Sequence, residues 1–579
     1  MPAADVTYDV VVVGASLGGV AAALRAAAMG ASVCLLEATA WVGGQFTAQG
    51  VTKPDENRYV ETVGSTASYR EFRHLVRLYY RNNFRLSAAG QQQPALNPGG
   101  GYPGFSMHPR VGHDVLLQQL TVSPNIHFRP LTRVTAADVQ GDSVQAVTAT
   151  DAAGTTTRYV AKFFLDATDL GELLPLANVE HVLGAESRSQ SGEPGAPDAP
   201  RADWIQPITV PIALERRPAG ENYTIAKPAD YDRLKTMQGY TIVDGYISTM
   251  FVPGKDMWTY RRFIAAANFN DPALPRDLSM INTLGNDYQG GTLPTGDPAA
   301  DLAVIEAARQ AALGYIYWLQ TECPRDDTPS RLGFPELKPR GDLFGTPDGT
   351  AAAPYIRESR RIRALRTIVQ QDLDAAFNAG PRAKPYADSC GIGLYGGMDI
   401  HGLAAVGMPQ SFVAIKPFQI PMGALVPVRV TNVLASCKNI GVTHITNGAY
   451  RLHPVEWNIG ESAGVLAAFC IQQNLRPRDV WSAPKLLGQY QHALLDTGVP
   501  LFWWTDIPFD NKALFVAAHL LGVTGIMSGF DDMTLRPNDI LTDQERQDIQ
   551  TAVETPLAWP SGQLLRGQAA LWLAQTLGL

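Results

Sequence analysis

The stretch "DVVVVGASLGGVAAALRAAAMG", Asp9 to Gly30, decides the fold. It opens as a continuous apolar run, the pattern of a parallel strand buried on both faces. It passes through a small-residue turn into strong helix formers and closes on Gly30, where a helix C-cap is expected. "ASVCLLE" then reads as a second buried strand ending in Glu37. Together these make a βαβ unit of about thirty residues with an acid after its second strand.

The turn fits two motifs. Gly14-Ala15-Ser16-Leu17-Gly18 matches G-x-S-x-G, the nucleophile elbow of serine hydrolases. Gly14, Ser16 and Gly19 match G-x-G-x-x-G with its middle glycine replaced. An elbow usually rests on earlier strands, whereas this turn follows the first one, and it leaves Gly19 and Glu37 without a role. The dinucleotide reading uses both. The helix start at Leu17, Gly18 and Gly19 offers free N–H groups and a positive dipole end to a phosphate. Glu37 would take ribose hydroxyls. Ser16 is small enough for a slightly longer backbone approach, and its hydroxyl can donate to a phosphate oxygen. Gly43 and Gly44, just beyond the acid, fit a second close approach of backbone to ligand. A serine hydrolase acting through Ser16 is the rival.

The 579 residues carry a net charge of −8, and 45% are hydrophobic. That suits an enzyme of two or three domains and indicates no polyanion-binding surface, so no nucleic-acid partner is expected. Five widely spaced cysteines without C-x-x-C argue for reduced thiols and against a zinc site or redox dithiol. The histidines do not cluster at metal spacing, so no metal is expected. No apolar run reaches the roughly 18 residues of a membrane span. The first strand begins within about seven residues, leaving no room for a signal peptide. A cytoplasmic protein with a small-molecule substrate and a possible homo-oligomeric state is the expectation.

Two later stretches carry polar groups suited to chemistry. "CGIGLYGG" (Cys390–Gly397) matches G-x-G-x-x-G through Gly391, Gly393 and Gly396, but neither strand nor helix is expected around it. It reads instead as a flexible glycine-rich loop presenting Tyr395, Asp399 and His401 to a pocket. "KNIGVTHITNGAYRLHPVEW" reads as a loop with His444, Arg451, His453 and Glu456 crowded before a small-residue helix start at Asn458. Histidine has the right intrinsic pKa for acid/base work.

The chain resembles the FAD-dependent oxidoreductases of the glutathione-reductase-like superfamily. More narrowly, it is similar to a bacterial family defined largely from genomes. The segments that carry the likeness are residues 11–51, "FFLDATDLGELLPLANV" (Phe163–Val179), "YIRESRRI" (Tyr355–Ile362), "DSCGIGLYGGMDIHG" (Asp388–Gly402) and "NIGVTHITNGAYRLHPVEWNIGESAGVLAAF" (Asn439–Phe469). Ser16 departs from the fingerprint. The resemblance implies FAD as cofactor. Gly14, Ser16, Gly19, Glu37, Gly43 and Gly44 would hold its adenosine diphosphate half, and Leu17, Gly18, Ala38, Gln45, Val134 and Thr168 are further candidates for binding the cofactor. Asn458, Gly460 and Glu461 would lie near the flavin.

An α/β architecture follows. A discontinuous Rossmann-like FAD domain, with a parallel sheet and a β-meander, takes residues 1–60, 105–200 and 425–480. Residues 204–424 form a mixed α+β substrate domain whose clearest helix is Leu302–Gln320. Residues 481–579 form a helical appendage, and Ala513–Ile549 in it resembles a surface-layer-homology repeat. The function expected is oxidation of a small organic substrate by hydride transfer to flavin N5, with oxygen or another acceptor reoxidising the flavin. His453, His401 and Tyr395, in that order, are the candidates for acid/base work. Arg357, Arg360 and Arg451 are the candidates for substrate binding. A non-catalytic FAD- or nucleotide-binding scaffold, anchored at a surface by the C-terminal segment, is the other alternative.

Overall fold

The computed structural model describes residues 4–101, 104–243, 245, 247–553 and 555–579. The first βαβ unit forms β1 (Ala4–Val13), α1 (Leu17–Ala28) and β2 (Val33–Leu36). Four valines in sequence on β1, Val10 to Val13, are all buried, as a strand covered on both faces requires. β3 (Ile126–Arg129) extends the sheet parallel to β2. β4 (Thr132–Gln140), β5 (Ser143–Asp151) and β6 (Thr156–Asp166) form an antiparallel meander with turns at Gly141 and Gly154, both at positive φ. The sheet order is β3-β2-β1-β6-β5-β4.

One edge of β6 serves two partners. Its first half pairs with β5, while Phe164–Asp166 pair in parallel with the short strand Val433–Ala435. The outer rim of the parallel sheet is therefore supplied from late in the chain. β1 continues to β2 on one side and lies against β6 on the other. The carboxyl ends of β1 and β6 thus flank a crevice of the kind where open α/β sheets bind ligands.

Close backbone contacts hold this corner together. A Cβ at Gly14 (φ +95°) would lie 2.5 Å from the Ala167 carbonyl oxygen, and one at Gly19 would lie 2.0 Å from that of Gly14. The long buried helix His453–Gln473 crosses α1 on its outer side. There a Cβ at Gly460 would lie 2.0 Å from the Gly18 carbonyl oxygen, and one at Gly464 would lie 2.4 Å from that of Ala22. Only residues without side chains let two helix backbones approach this closely.

Within residues 204–424, Ile212–Arg216, Arg262–Ile264, Leu278–Ile281 and Leu337–Pro339 form an antiparallel four-stranded sheet. The helix expected at Leu302–Gln320 runs from Pro298 to Thr321, started by an Asp297 cap that accepts the Ala299 N–H. A second apolar core, including Leu214, Tyr315 and Phe334, lies between these elements. The C-terminal helices Lys512–Val523, Asp543–Ala552 and Arg566–Leu577 place Phe515, Leu521, Ile549 and Leu573 in the main core. No helix among the described residues is long and apolar enough to cross a membrane.

Two local expectations are corrected. Cys390–Gly397 is not a flexible loop: Ser389–Gly393 is a buried strand paired with Phe418–Pro421, and Gly397–Ile400 forms a hairpin with Ser411–Ala414. Its glycines serve packing, since a Cβ at Gly391 would meet the Asn458 amide at 2.4 Å. The stretch before Asn458 is not a loop either. His444–Tyr450 is helical, and the long helix starts at His453, five residues earlier than expected, with Pro454 in its first turn.

The Gly460 contact gives a direct test. Gly460→Ala must push a methyl into the α1 backbone and is expected to cost about 1–3 kcal/mol of stability. Urea unfolding read by circular dichroism checks this. An unchanged midpoint would mean that the two helices are not in contact there.

Candidate functional site

The crevice at the carboxyl ends of β1 and β6 opens into a cavity of about 320 Å³ lined by Gly14, Ser16, Glu37, Ala38, Val134 and Thr168, among others. The Glu37 carboxylate accepts the Ala15 and Thr39 N–H groups, each at 2.7 Å. Burial pushes its pKa up against these two bonds. Ser16 caps α1, its Oγ accepting the Gly19 N–H at 3.3 Å. No histidine hydrogen-bonds Ser16 among the described residues, so the geometry gives a serine nucleophile no base. Gly43 donates to the Ala15 carbonyl at 2.8 Å, and Gly44 lies directly over Ser16. A small-residue turn, a helix N-terminus and a carboxylate at the lip together suit the adenosine diphosphate half of a dinucleotide. Leu17 differs from its neighbours here, because its side chain is wholly buried in the core.

Beyond this cavity lies a buried charged cluster that sequence reasoning did not find. Lys438 is ion-paired with Asp169 and lies 3.5 Å from Glu456. Burial acts to lower the Lys438 pKa, but the two carboxylates outweigh it and hold the ammonium well above its usual range. Gln49 donates to Asp169 at 2.6 Å. Gln45 donates to Glu456 and, at 3.1 Å, to the Arg451 carbonyl. Glu456 also accepts the Gly18 N–H at 3.3 Å. Asp169 lines the first cavity, and Arg451 lines a second.

The second cavity, about 270 Å³, brings together Arg357, Tyr395, His401 and Arg451, four residues selected from sequence. It adds Asp55, Tyr260, Arg261, Tyr355 and Asp399, of which only Asp399 was noted from sequence. His401 bridges two carboxylates: Nδ1 to Asp287 at 2.5 Å and Nε2 to Asp399 at 3.3 Å. Burial and the Arg357 guanidinium act to lower its pKa, but the carboxylates prevail and raise it. Burial works against the ionised form of Asp399, yet His401 and Arg451 hold it well below the usual carboxylate range. Arg357 is anchored by Asp287, Thr209 and the Pro207 carbonyl at 2.8–2.9 Å. Arg451 donates to the Tyr355 hydroxyl at 3.0 Å and to Asp399 at 3.2 Å, while its buried Nε has no hydrogen-bond partner among the described residues.

His453 lies behind this wall, fully buried and stacked on Phe46 at 4.8 Å. Its Nδ1 accepts the Asp55 backbone N–H at 3.1 Å. A backbone N–H can only donate, so Nδ1 carries the lone pair and Nε2 carries the proton. Burial, then Lys438 and Arg451, push its pKa well below the usual value. His453 is therefore a neutral imidazole without a free acceptor nitrogen. Four other sequence candidates lie elsewhere. Arg360 donates to the Leu170 carbonyl and lines neither cavity. Asn458 bonds the backbone of Cys390 and Ile392. Gly460 packs on Gly18. Glu461 is ion-paired with Arg25 of α1.

Asp55 is the principal omission. "VTKPDENRY" is polar and proline-bearing and reads as a turn, and only tertiary packing brings this carboxylate to the cavity.

The His401 bridge predicts a pH signature. Its folded pKa is raised above the unfolded 6.5, so its contribution is complete below about pH 6.5 and is lost as pH rises through the folded value. His401→Asn is expected to cost about 3–5 kcal/mol at pH 6. The gap to wild type should narrow steadily towards pH 9. Urea titrations of both proteins at several pH values measure it, and a gap independent of pH would contradict a charged His401.

The family model described as "FAD dependent oxidoreductase" matches residues 9–494. No curated protein matches the chain. Solved structures align with low identity. The chondrochloren halogenase of a myxobacterium, an FAD-dependent halogenase, is 10% identical over 97% of this chain and 99% of its own, with a TM-score of 0.36. The p-nitrophenol 4-monooxygenase of Pseudomonas putida is 12% identical over 94% and 93%, with a TM-score of 0.33. Other alignments are partial: the chain spans 25% of the L-proline dehydrogenase of P. horikoshii, at 13% identity over 32% of this chain and a TM-score of 0.18. With its family model matched across most of its length, the chain belongs to the FAD-dependent oxidoreductase family, and FAD is its cofactor.

Proposed function

We propose that the protein oxidises a small organic substrate held in the cavity around Arg451, using FAD bound in the crevice at the ends of β1 and β6. The observation that carries this reading is the pairing of two cavities. A nucleotide-shaped crevice edged by Glu37 adjoins, across the Lys438 cluster, a cavity lined by several cations.

The residues present fit the cofactor. Glu37 would accept the ribose hydroxyls. The backbone at Gly14, Ser16 and Gly19 would face the diphosphate, with Gly43 and Gly44 opposite. Ala38, Val134 and Thr168 would wall the adenine side. FAD supplies the two-electron acceptor, and the chain supplies binding and proton handling. Arg451, with Arg357 behind it, would hold an anionic group of the substrate. The His401 imidazolium keeps Asp399, and through it Arg451, in place. Tyr395 remains a phenol under the charge of Asp55 and burial, so it would act as a hydrogen-bond donor. Electrons would pass on to oxygen or another acceptor.

The test is direct. The purified protein should show the visible bands of oxidised flavin, as isolated or after incubation with FAD. Small hydroxy acids screened anaerobically should bleach them. Glu37→Gln should weaken FAD binding by about 10- to 100-fold, the loss of one charged hydrogen bond of about 1.5–3 kcal/mol. A protein that stays colourless with excess FAD would overturn the proposal, and so would bound flavin that no substrate reduces.

A further inference from the structure

The second cavity contains several titratable groups, and among the described residues its hydrogen bonds leave one carboxylate uncommitted. His401 uses both ring nitrogens on Asp287 and Asp399. Asp399 is bound by His401 and Arg451. The His453 lone pair is taken by the Asp55 N–H. Tyr355 receives a hydrogen bond from Arg451. Tyr395 makes no hydrogen bond with a described residue, but it is held as a phenol and is no base. Asp55 is the carboxylate left in that state. Its backbone is pinned by His453, while its carboxylate makes no hydrogen bond or ion pair with any described residue.

The groups facing Asp55 come from every wall. Arg261 ends the helix Met257–Arg261, Arg451 follows the helix His444–Tyr450, and Asp399 with His401 belong to the Gly397–Ile400 hairpin and its exit. Tyr395 lies on the strand connection before that hairpin. Burial raises the Asp55 pKa, opposed by Arg261, Arg451 and His401 and reinforced by Asp399. Arg451, whose buried Nε has no hydrogen-bond partner among the described residues, lines the cavity with Arg357 and Asp55, which favours an anionic group at the guanidinium and a neutral hydroxyl at the carboxylate.

Resting on the function proposed above, we infer that Asp55 is the general base of this cavity and that the substrate is a carboxylate-bearing alcohol. Arg451 holds the carboxylate, and the hydroxyl faces Asp55. In that oxidation the hydroxyl proton would pass to an Asp55 oxygen as the carbon–oxygen bond becomes a carbonyl, and FAD would supply the acceptor for the hydride. The balance would be an oxo acid, a protonated Asp55 and a cofactor reduced by two electrons.

Asp55→Asn tests this. Its FAD spectrum should match wild type, which shows that the fold and the cofactor site are intact. Anaerobic bleaching by hydroxy acids should slow by about 10²- to 10⁴-fold. In wild type the rate should climb about tenfold per pH unit below the Asp55 pKa and then level, and the variant should lose that rise. Acetate, read by its perturbation of the flavin spectrum, supplies a measurement without turnover. Its dissociation constant in wild type should grow several-fold as pH rises through the raised Asp55 pKa, and in the variant it should stay flat. Infrared difference spectra of wild type should show a titrating protonated-carboxyl band that the variant lacks, beyond the band from Asp166 that both proteins share. Equal acetate and infrared responses in both proteins, or unchanged bleaching by the variant, would overturn the Asp55 assignment while leaving the flavoprotein reading intact. A wild type that binds FAD but no acetate at any pH would overturn the anionic substrate. Failure of both proteins to bind FAD would instead remove the reading beneath it.

Discussion

Everything in the half built on the parallel sheet depends on how closely backbones approach one another at the end of β1. Gly14 lies against the Ala167 carbonyl, Gly19 against Gly14, and Gly18 between Ser436 and Gly460. Replacing any of these hydrogens by a side chain separates β1 from β6, or α1 from the helix His453–Gln473. The crevice exists because these separations are so short. The glycines of the fingerprint therefore have two tasks: Gly14 shapes the turn, while Gly18 and Gly19 join a helix to its neighbours.

The same packing positions the second cavity. The helix that crosses α1 at Gly460 begins at His453, whose ring holds the Asp55 backbone. One turn further on, Glu456 accepts the Gly18 N–H and a bond from Gln45, which also holds the Arg451 carbonyl. A rigid helix contact is thus converted into fixed positions for a carboxylate and a guanidinium. Buried charge is costly unless it is paired. Here Lys438, Asp169 and Glu456 satisfy one another, and Arg357, Asp287, His401, Asp399 and Arg451 form a continuous second series.

Where the sequence signal was local, it could be read. The βαβ unit, the β-meander and the helix around Leu302–Gln320 follow from apolar runs and periodicity confined to neighbouring residues. Glycine-rich and histidine-rich stretches misled because the pressure on them is tertiary. Gly391 and Gly393 leave room for Asn458 and Phe418 rather than conferring flexibility. The helix start at His453 was marked only by Pro454. Four of the six residues chosen for catalysis or substrate binding line one cavity. Their partners Asp55, Asp287 and Lys438 come from separate parts of the chain, and no spacing pattern announces that they meet.

The division of the β6 edge has a consequence for biosynthesis. β1, β2, β3 and the meander can assemble once residue 166 has emerged, yet Phe164–Asp166 then present an unpaired edge until Val433–Ala435 arrive. The helix that covers α1 comes later still. At roughly 5–20 residues per second that interval lasts tens of seconds. An exposed parallel edge beside a bare alanine-rich helix is a ready template for mispairing. Growing chains of this protein are thus most vulnerable while their middle section is being made, and the crevice at the ends of β1 and β6 is among the last features to close.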